Sequence, residues 1–227
     1  MNSIVMLASD IHVTVDAARF RRSLLRWGRA NRRSFPWRET DDPFRILVAE
    51  VLLQRSRGVT VAKVYDRLFS RWPDAQHLAR ARVDSIGSVI RPLGLTSRAA
   101  KLRDLAISVA ERGDVPDSLE GLLELPSVGR YAAGATLAVA FNKHSAVVDG
   151  VTARVYRRYF GLPTEMAPVS DKELWSLVTD VTPKRSVREW NWGVLDLAAT
   201  VCLPKIPRCS ACPLEAECAW ASSTDRS

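Results

Sequence analysis

An all-α fold is what this chain predicts, and three observations predict it. Apolar residues recur at helical intervals through most of its 227 residues, as a core-facing helix stripe requires. Proline and glycine fall between those stretches, at Pro73, Pro92, Gly94, Pro116, Pro126, Pro163 and Pro183, where they end helices rather than interrupt them. No sustained alternation of apolar and polar residues supports a sheet.

Taken in order, residues 16–30 carry Ala18, Phe20, Leu24, Leu25 and Trp27 at helical spacing, with arginines between them. The run Ser34-Phe35-Pro36-Trp37 breaks the pattern. Asp42 then reads as an N-cap with Pro43 at the first helical position, opening a helix to about Gln54. Further helical segments fit residues 59–71, 75–80, 83–91, 97–112, 117–123, 129–141, 151–160, 170–181 and 187–201. The tail after Trp220, rich in serine, is expected to fray.

A chain of this size buries a substantial core in one or two small domains. No apolar stretch is long and charge-free enough to span a bilayer, and Asp10, His12 and Asp16 interrupt the short N-terminal apolar run, so a secretory signal is not read there. A cytoplasmic, nucleoid-associated protein of a prokaryote is the expectation. The formal charge of +8 and pI near 9.7 favour a polyanionic partner. Basic residues gather at Arg19, Arg21, Arg22, Arg26, Arg29, Arg32 and Arg33, and recur at Arg98, Lys101 and Arg103, at Arg154, Arg157 and Arg158, and at Lys184, Arg185 and Arg188. Several lie beside helix starts or turns, where phosphate contacts form easily.

All four cysteines fall near the end, at Cys202, Cys209, Cys212 and Cys218. The C-x6-C-x2-C-x5-C spacing brings four thiolates within reach of one centre, as four-cysteine iron–sulfur and zinc sites require. Zinc ribbons usually show two separated C-x2-C knuckles, and this chain has one. A cubane iron–sulfur cluster ranks first, structural zinc second, and disulfides last.

Three further features carry chemistry. Leu125-Pro126-Ser127-Val128-Gly129 joins a short helix to a small-residue helix from Arg130 to Phe141. Such a turn exposes backbone N–H groups at a helix N-terminus and makes a neutral cradle for a phosphate. Asp149, in Val147-Val148-Asp149-Gly150, reads as an N-cap whose charge the helix terminus favours. A fixed anion there, close to bound DNA, suits a positive charge developing on a sugar. Glu50 shares the stretch from Phe44 to Leu53 with only one other charge, Arg45. A helix that apolar is largely buried, so Glu50 is expected to be desolvated with a raised pKa.

The run from Leu125 to Arg158 resembles the helix-hairpin-helix and Gly/Pro…Asp signature of the endonuclease III and MutY superfamily of DNA glycosylases. The cysteine spacing resembles that family's cluster loop, and residues 34–56 give a third match in the right order. Ser127 departs from the pattern, which usually has glycine there; the turn is altered if a positive φ is needed. The resemblance implies two helical domains, residues 35–143 and residues 1–34 plus 144–227, with a DNA-binding cleft between them and one [4Fe-4S] cluster in the second. It implies Asp149 and Glu50 as the catalytic pair: Asp149 a permanent anion that stabilises the sugar cation or orients water, Glu50 an acid that assists departure of the base. Bifunctional members place a lysine at the position of Tyr131 and form a Schiff base; tyrosine there implies hydrolysis with weak or no strand cleavage, and a place for its ring in the pocket wall or the core. Gln54 and Arg55 would fill the gap left by the extruded base.

Two substrates compete. The adenine enzymes of the MutY type usually carry Gln-Gln-Thr, Gly-Leu-Gly-Tyr-Tyr and Asp-Gly-Asn where this chain has Gln54-Arg55-Ser56, Gly94-Leu95-Thr96-Ser97-Arg98 and Asp149-Gly150-Val151, and they continue into a further domain. These departures resemble the compact enzymes that remove thymine or uracil opposite guanine. That is the favoured reading, with adenine opposite guanine or 8-oxoguanine second and a non-catalytic DNA-structure-binding protein third. The resemblance implies double-stranded DNA with a mismatched or damaged base as the partner, and a monomer is the expectation.

Overall fold

The computed structural model describes residues 4–6, 12–14, 16–94 and 97–223, the first two segments by their backbone. Leu95 and Thr96, and the tail beyond Ser223, lie outside the described residues. Among those described, the helices are α1 (Ala17–Ala30), α2 (Pro43–Leu53), α3 (Gly58–Arg71), α4 (Ala75–Ala79), α5 (Val83–Ile90), α6 (Arg98–Arg112), α7 (Leu119–Leu123), α8 (Arg130–Val139), α9 (Gly150–Phe160), α10 (Lys172–Val181), α11 (Val187–Thr200) and α12 (Ala219–Ser222). One departure from the helical reading is a short antiparallel pair, Ile4–Met6 with His12–Thr14, in which Val5 faces Val13. Three residues a side are too few for alternation to register, since that signal needs about four to eight.

The chain divides into two compact units, residues 34–141 and residues 1–33 with 142–227. In the first, Asp42 caps α2 as the sequence suggests, its Oδ1 accepting from the amides of Phe44 at 2.9 Å and Arg45 at 3.2 Å. From Ile46 to Leu52 every residue of α2 is buried, because it lies at the centre of its unit and packs on α3 and α8. Helix α8 makes that close approach possible: Ala132, Ala133, Ala135 and Ala138 keep its surface small. The break at residues 34–37 is an aromatic layer, with Phe35 stacked on Trp37 at 4.7 Å and Trp37 edge-on to Tyr65.

In the second unit α11 packs against α1 and α9. Phe20 is the hub, stacked on Tyr159 at 4.4 Å and edge-on to Phe160 and Trp190. The predicted face of α1 needs one correction: Ala17, not Ala18, is buried, with Phe20, Leu24 and Gly28. The spacing 17, 20, 24, 28 follows one helix face; Ala18 lies a hundred degrees round it. At Gly28 the two helices nearly touch, since a Cβ there would stand 3.1 Å from Gly193 Cα.

Candidate active site and DNA-contact hairpin

The hairpin is built from two buried anchors and one strained residue. Ser118 caps α7 by accepting the Gly121 amide at 3.1 Å. Leu125 and Val128 sit in the core, and the Val128 amide closes the turn on Leu125 O at 3.3 Å. Ser127, between them, has φ of +66°. The turn therefore does require a left-handed residue, and serine occupies it where glycine would be relaxed. Gly129 is the N-cap of α8 and brings no side-chain cap; a Cβ added to it would meet nothing within 4 Å. The side of Gly129 that a side chain would fill is thus open, beside helix-start amides that have no partners within the helix. Tyr131, on the first turn of α8, is half-buried.

Glu50 lies on α2, 7% exposed, as the apolar surroundings predict. Beyond it the helix runs into Gln54 and Arg55, both exposed. Arg55 adopts φ of +58°, a region non-glycine residues seldom enter. Gln54 Nε2 donates to Ser127 O at 3.4 Å, so the loop after α2 and the hairpin turn are linked. Glu50, Gln54, Arg55, Tyr131 and the hairpin all belong to the unit 34–141; Asp149 and the cysteines belong to the other.

Asp149 is the N-cap of α9. Its Oδ1 accepts from the Val151 amide at 2.9 Å, the Thr152 amide at 2.7 Å and Thr152 Oγ1 at 3.0 Å. Thr152 Oγ1 in turn lies 3.0 Å from the Asp149 amide, which completes a capping box. All three side-chain bonds fall on Oδ1, and among the described residues Oδ2 takes none. One oxygen is thus pinned by the cap. Next to it Gly150 is exposed, and a Cβ there would meet nothing within 4 Å. Two turns along the same helix Tyr156 is fully buried, and burial followed by the Asp149 charge holds its phenol well above the usual value. Thr152 escaped the sequence reading, although an Asp-x-x-Thr spacing is a capping-box pattern.

The four cysteines line one pocket with Val155, Leu197, Val201 and Leu214. Burial, then the charges of Cys218, Cys202 and Cys209, push the Cys212 thiol up to about 11, against the pull of the Leu214 amide. Cys218 is raised for the same leading reason. No disulfide joins them. Among the described residues no group of three or more His, Cys, Asp or Glu is gathered so as to hold a metal ion.

Several arginines of the basic groups are engaged within the fold. Arg154 donates to Ala198 O and Cys202 O at the end of α11. Arg157 pairs with Asp171 at 2.7 Å, with side-chain exposures of 7% and 14%. Arg158 reaches Leu203 O, Pro204 O and Cys202 Sγ. Arg33 binds the buried Asp196, Nε to Oδ1 at 2.6 Å, and Arg98 is buried. For Arg98, Arg154 and Arg158 the acceptors are carbonyls 44–48 positions away, brought there by packing and invisible in local sequence. Arg22, Arg26, Arg29, Lys101, Lys184 and Arg185 are exposed.

Two short-linked helices, α7 and α8, in an almost wholly helical chain of charge +8 define a helix-hairpin-helix protein of the DNA-binding kind. The chain belongs to the HhH-GPD superfamily of base excision DNA repair proteins, whose family model matches residues 48–180. The thymine/uracil-DNA glycosylase of Methanothermobacter thermautotrophicus is 35% identical over 201 residues, 87% of this chain and 91% of that one. The structure of a thermostable thymine-DNA glycosylase matches with a TM-score of 0.85 at 34% identity, covering 90% of this chain and 96% of the other. The adenine DNA glycosylase of Homo sapiens is 34% identical over 225 residues, 92% of this chain and 41% of its own length. No helix among the described residues is long and apolar enough to cross a membrane.

Proposed function

We propose that this protein is a monofunctional DNA glycosylase that removes thymine or uracil opposite guanine. The observation that carries the chemistry is Asp149, with one carboxylate oxygen pinned by three donors and the other unbonded among the described residues. The choice of base is supported by identity of 35% across 91% of a thymine/uracil relative.

In this reading the hairpin Leu125, Ser127, Val128 and Gly129 takes a phosphate on its amides, while Gln54 and Arg55 fill the gap left by the extruded base. The bond between C1′ and the base nitrogen breaks, and its electron pair leaves with the base. Glu50 neutralises that charge as a general acid, and Asp149 stabilises the cationic sugar or orients the water whose oxygen joins C1′. With Tyr131 in place of a lysine no Schiff base forms, so the strand stays whole. Residues 35–143 and residues 1–34 with 144–227 act as its two domains, and the enzyme works as a monomer on chromosomal DNA in the cytoplasm.

Cys202, Cys209, Cys212 and Cys218 suit one [4Fe-4S] cluster. Four thiols around a pocket fit a polynuclear group better than a single zinc ion, which draws its ligands to about 2.3 Å. Such a cluster braces the loop by its iron–thiolate bonds and takes no step in hydrolysis. Lys205 and Arg208, exposed on that loop, then face phosphate. Iron and sulfide near four per chain would support this; zinc would refute it.

The deciding experiment is a panel of duplexes containing G·T, G·U, A·G, A·8-oxoguanine or oxidised pyrimidines, scored for base release before and after alkali. Release of thymine and uracil with strands intact until alkali is the expected result. Release of adenine alone would assign the MutY-type reaction, and no release from any duplex would leave a DNA-structure-binding protein.

A further inference from the structure

Arg98 opens α6 and is only 6% exposed, yet its guanidinium is turned away from α6 towards the end of α2. Nη1 donates to Leu52 O at 2.8 Å and to Ser56 Oγ at 3.1 Å, and Nη2 donates to Gln54 O. The last carbonyls of a helix have no partners within it and carry the negative end of its dipole. At α2 they are met from outside: Leu53 O takes the Ser56 amide at 3.0 Å, and Arg98 takes the carbonyls on either side. A buried cation is costly unless its donors are satisfied, so this fork has to stay in place once the core has formed.

What it holds is the strained turn. Arg55, between two Arg98-bound residues, has φ of +58°, and such a conformation persists only where its surroundings over-determine it. Burial, then the nearby Arg55 charge, lowers the Arg98 pKa. The Arg55 side chain is exposed. Gln54 extends from the same turn to Ser127 O.

We propose that Arg98 is a positioning residue for base extrusion, fixing the backbone of residues 52–56 so that Gln54 and Arg55 stand ready to replace the flipped base. This rests on the reading of Gln54 and Arg55 as the wedge. A lysine cannot take the role fully, because a point charge does not span three acceptors set for a planar fork.

The test compares two duplexes, one with uracil opposite guanine and one with uracil opposite an abasic-site analogue, where the unpaired base leaves the stack at less cost. Single-turnover excision is measured with Arg98→Lys, Ser56→Ala and Gln54→Ala. Arg98→Lys should lose about 10- to 100-fold on the paired duplex and several-fold less on the unpaired one. Ser56→Ala, which removes one acceptor and leaves the core untouched, should show the same selectivity at smaller size. Equal losses on both duplexes, or none, with either variant would overturn the role of Arg98. If Gln54→Ala lacks the selectivity, the wedge reading itself fails. Binding of undamaged duplex supplies a third check: Arg98→Lys and Arg98→Gln should keep the parent's salt dependence, and a slope lower by about 0.9 in the glutamine variant would make Arg98 a phosphate contact instead.

Discussion

At the scale of single residues, the capping duty of Asp149 can be measured apart from the chemistry proposed for it. Its Oδ1 does the capping, and among the described residues its Oδ2 takes no hydrogen bond. Asparagine caps a helix about as well as aspartate but carries no charge. Asp149→Asn should therefore melt within about 0.5 kcal/mol of the parent while base release falls at least about 1,000-fold. DNA affinity should be kept or tightened. Normal turnover would remove Asp149 from the mechanism. Glu50→Gln should lose about 100- to 10,000-fold, the usual worth of acid–base assistance, read in the same single-turnover assay.

Both acids were legible in the sequence, for different physical reasons. Glu50 stands out because a charge on a helix buried all round has to be accounted for. Asp149 stands out because Asp-Gly ahead of a helix is capping chemistry whatever else it does. What Arg98, Arg154, Arg157 and Arg158 bind was not legible in the sequence, because an arginine reaches far and its acceptors are set by tertiary packing. The positive φ at Ser127 could be suspected only because the resemblance places glycine there.

At the scale of elements, two close fits set stability. Helices α1 and α11 meet at Gly28 and Gly193, and the atom facing a new Cβ on Gly28 is backbone Cα at 3.1 Å. Backbone cannot rotate aside as a side-chain tip can, so the helices must part. Gly28→Ala, which would gain about 1 kcal/mol in an isolated helix, should instead destabilise by about 1–3 kcal/mol, seen as a lowered melting temperature. The hairpin gives the opposite sign. A left-handed serine costs roughly 1–2 kcal/mol relative to a right-handed one, and glycine carries little of that penalty. Ser127→Gly should raise stability by about 0.5–1 kcal/mol, part of the gain being offset by unfolded-state entropy. Glycine also keeps the backbone carbonyl that Gln54 binds.

At the scale of the whole molecule, the charge of +8 does not reveal how many cations meet DNA, because folding has already used several of them. Salt dependence separates the two groups. Each phosphate contact removed should lower the slope of log affinity against log salt by about 0.9. Lys205→Gln and Arg208→Gln, on the exposed cysteine loop, should each do so and leave melting unchanged within about 0.5 kcal/mol, as surface substitutions do. Arg157→Gln takes the ion partner from half-buried Asp171, which keeps the Leu174 amide, so it should cost about 1–3 kcal/mol with the slope unmoved. If Arg157→Gln changes the slope, or if both loop variants do not, the partition of this chain's cations between core and DNA is wrong.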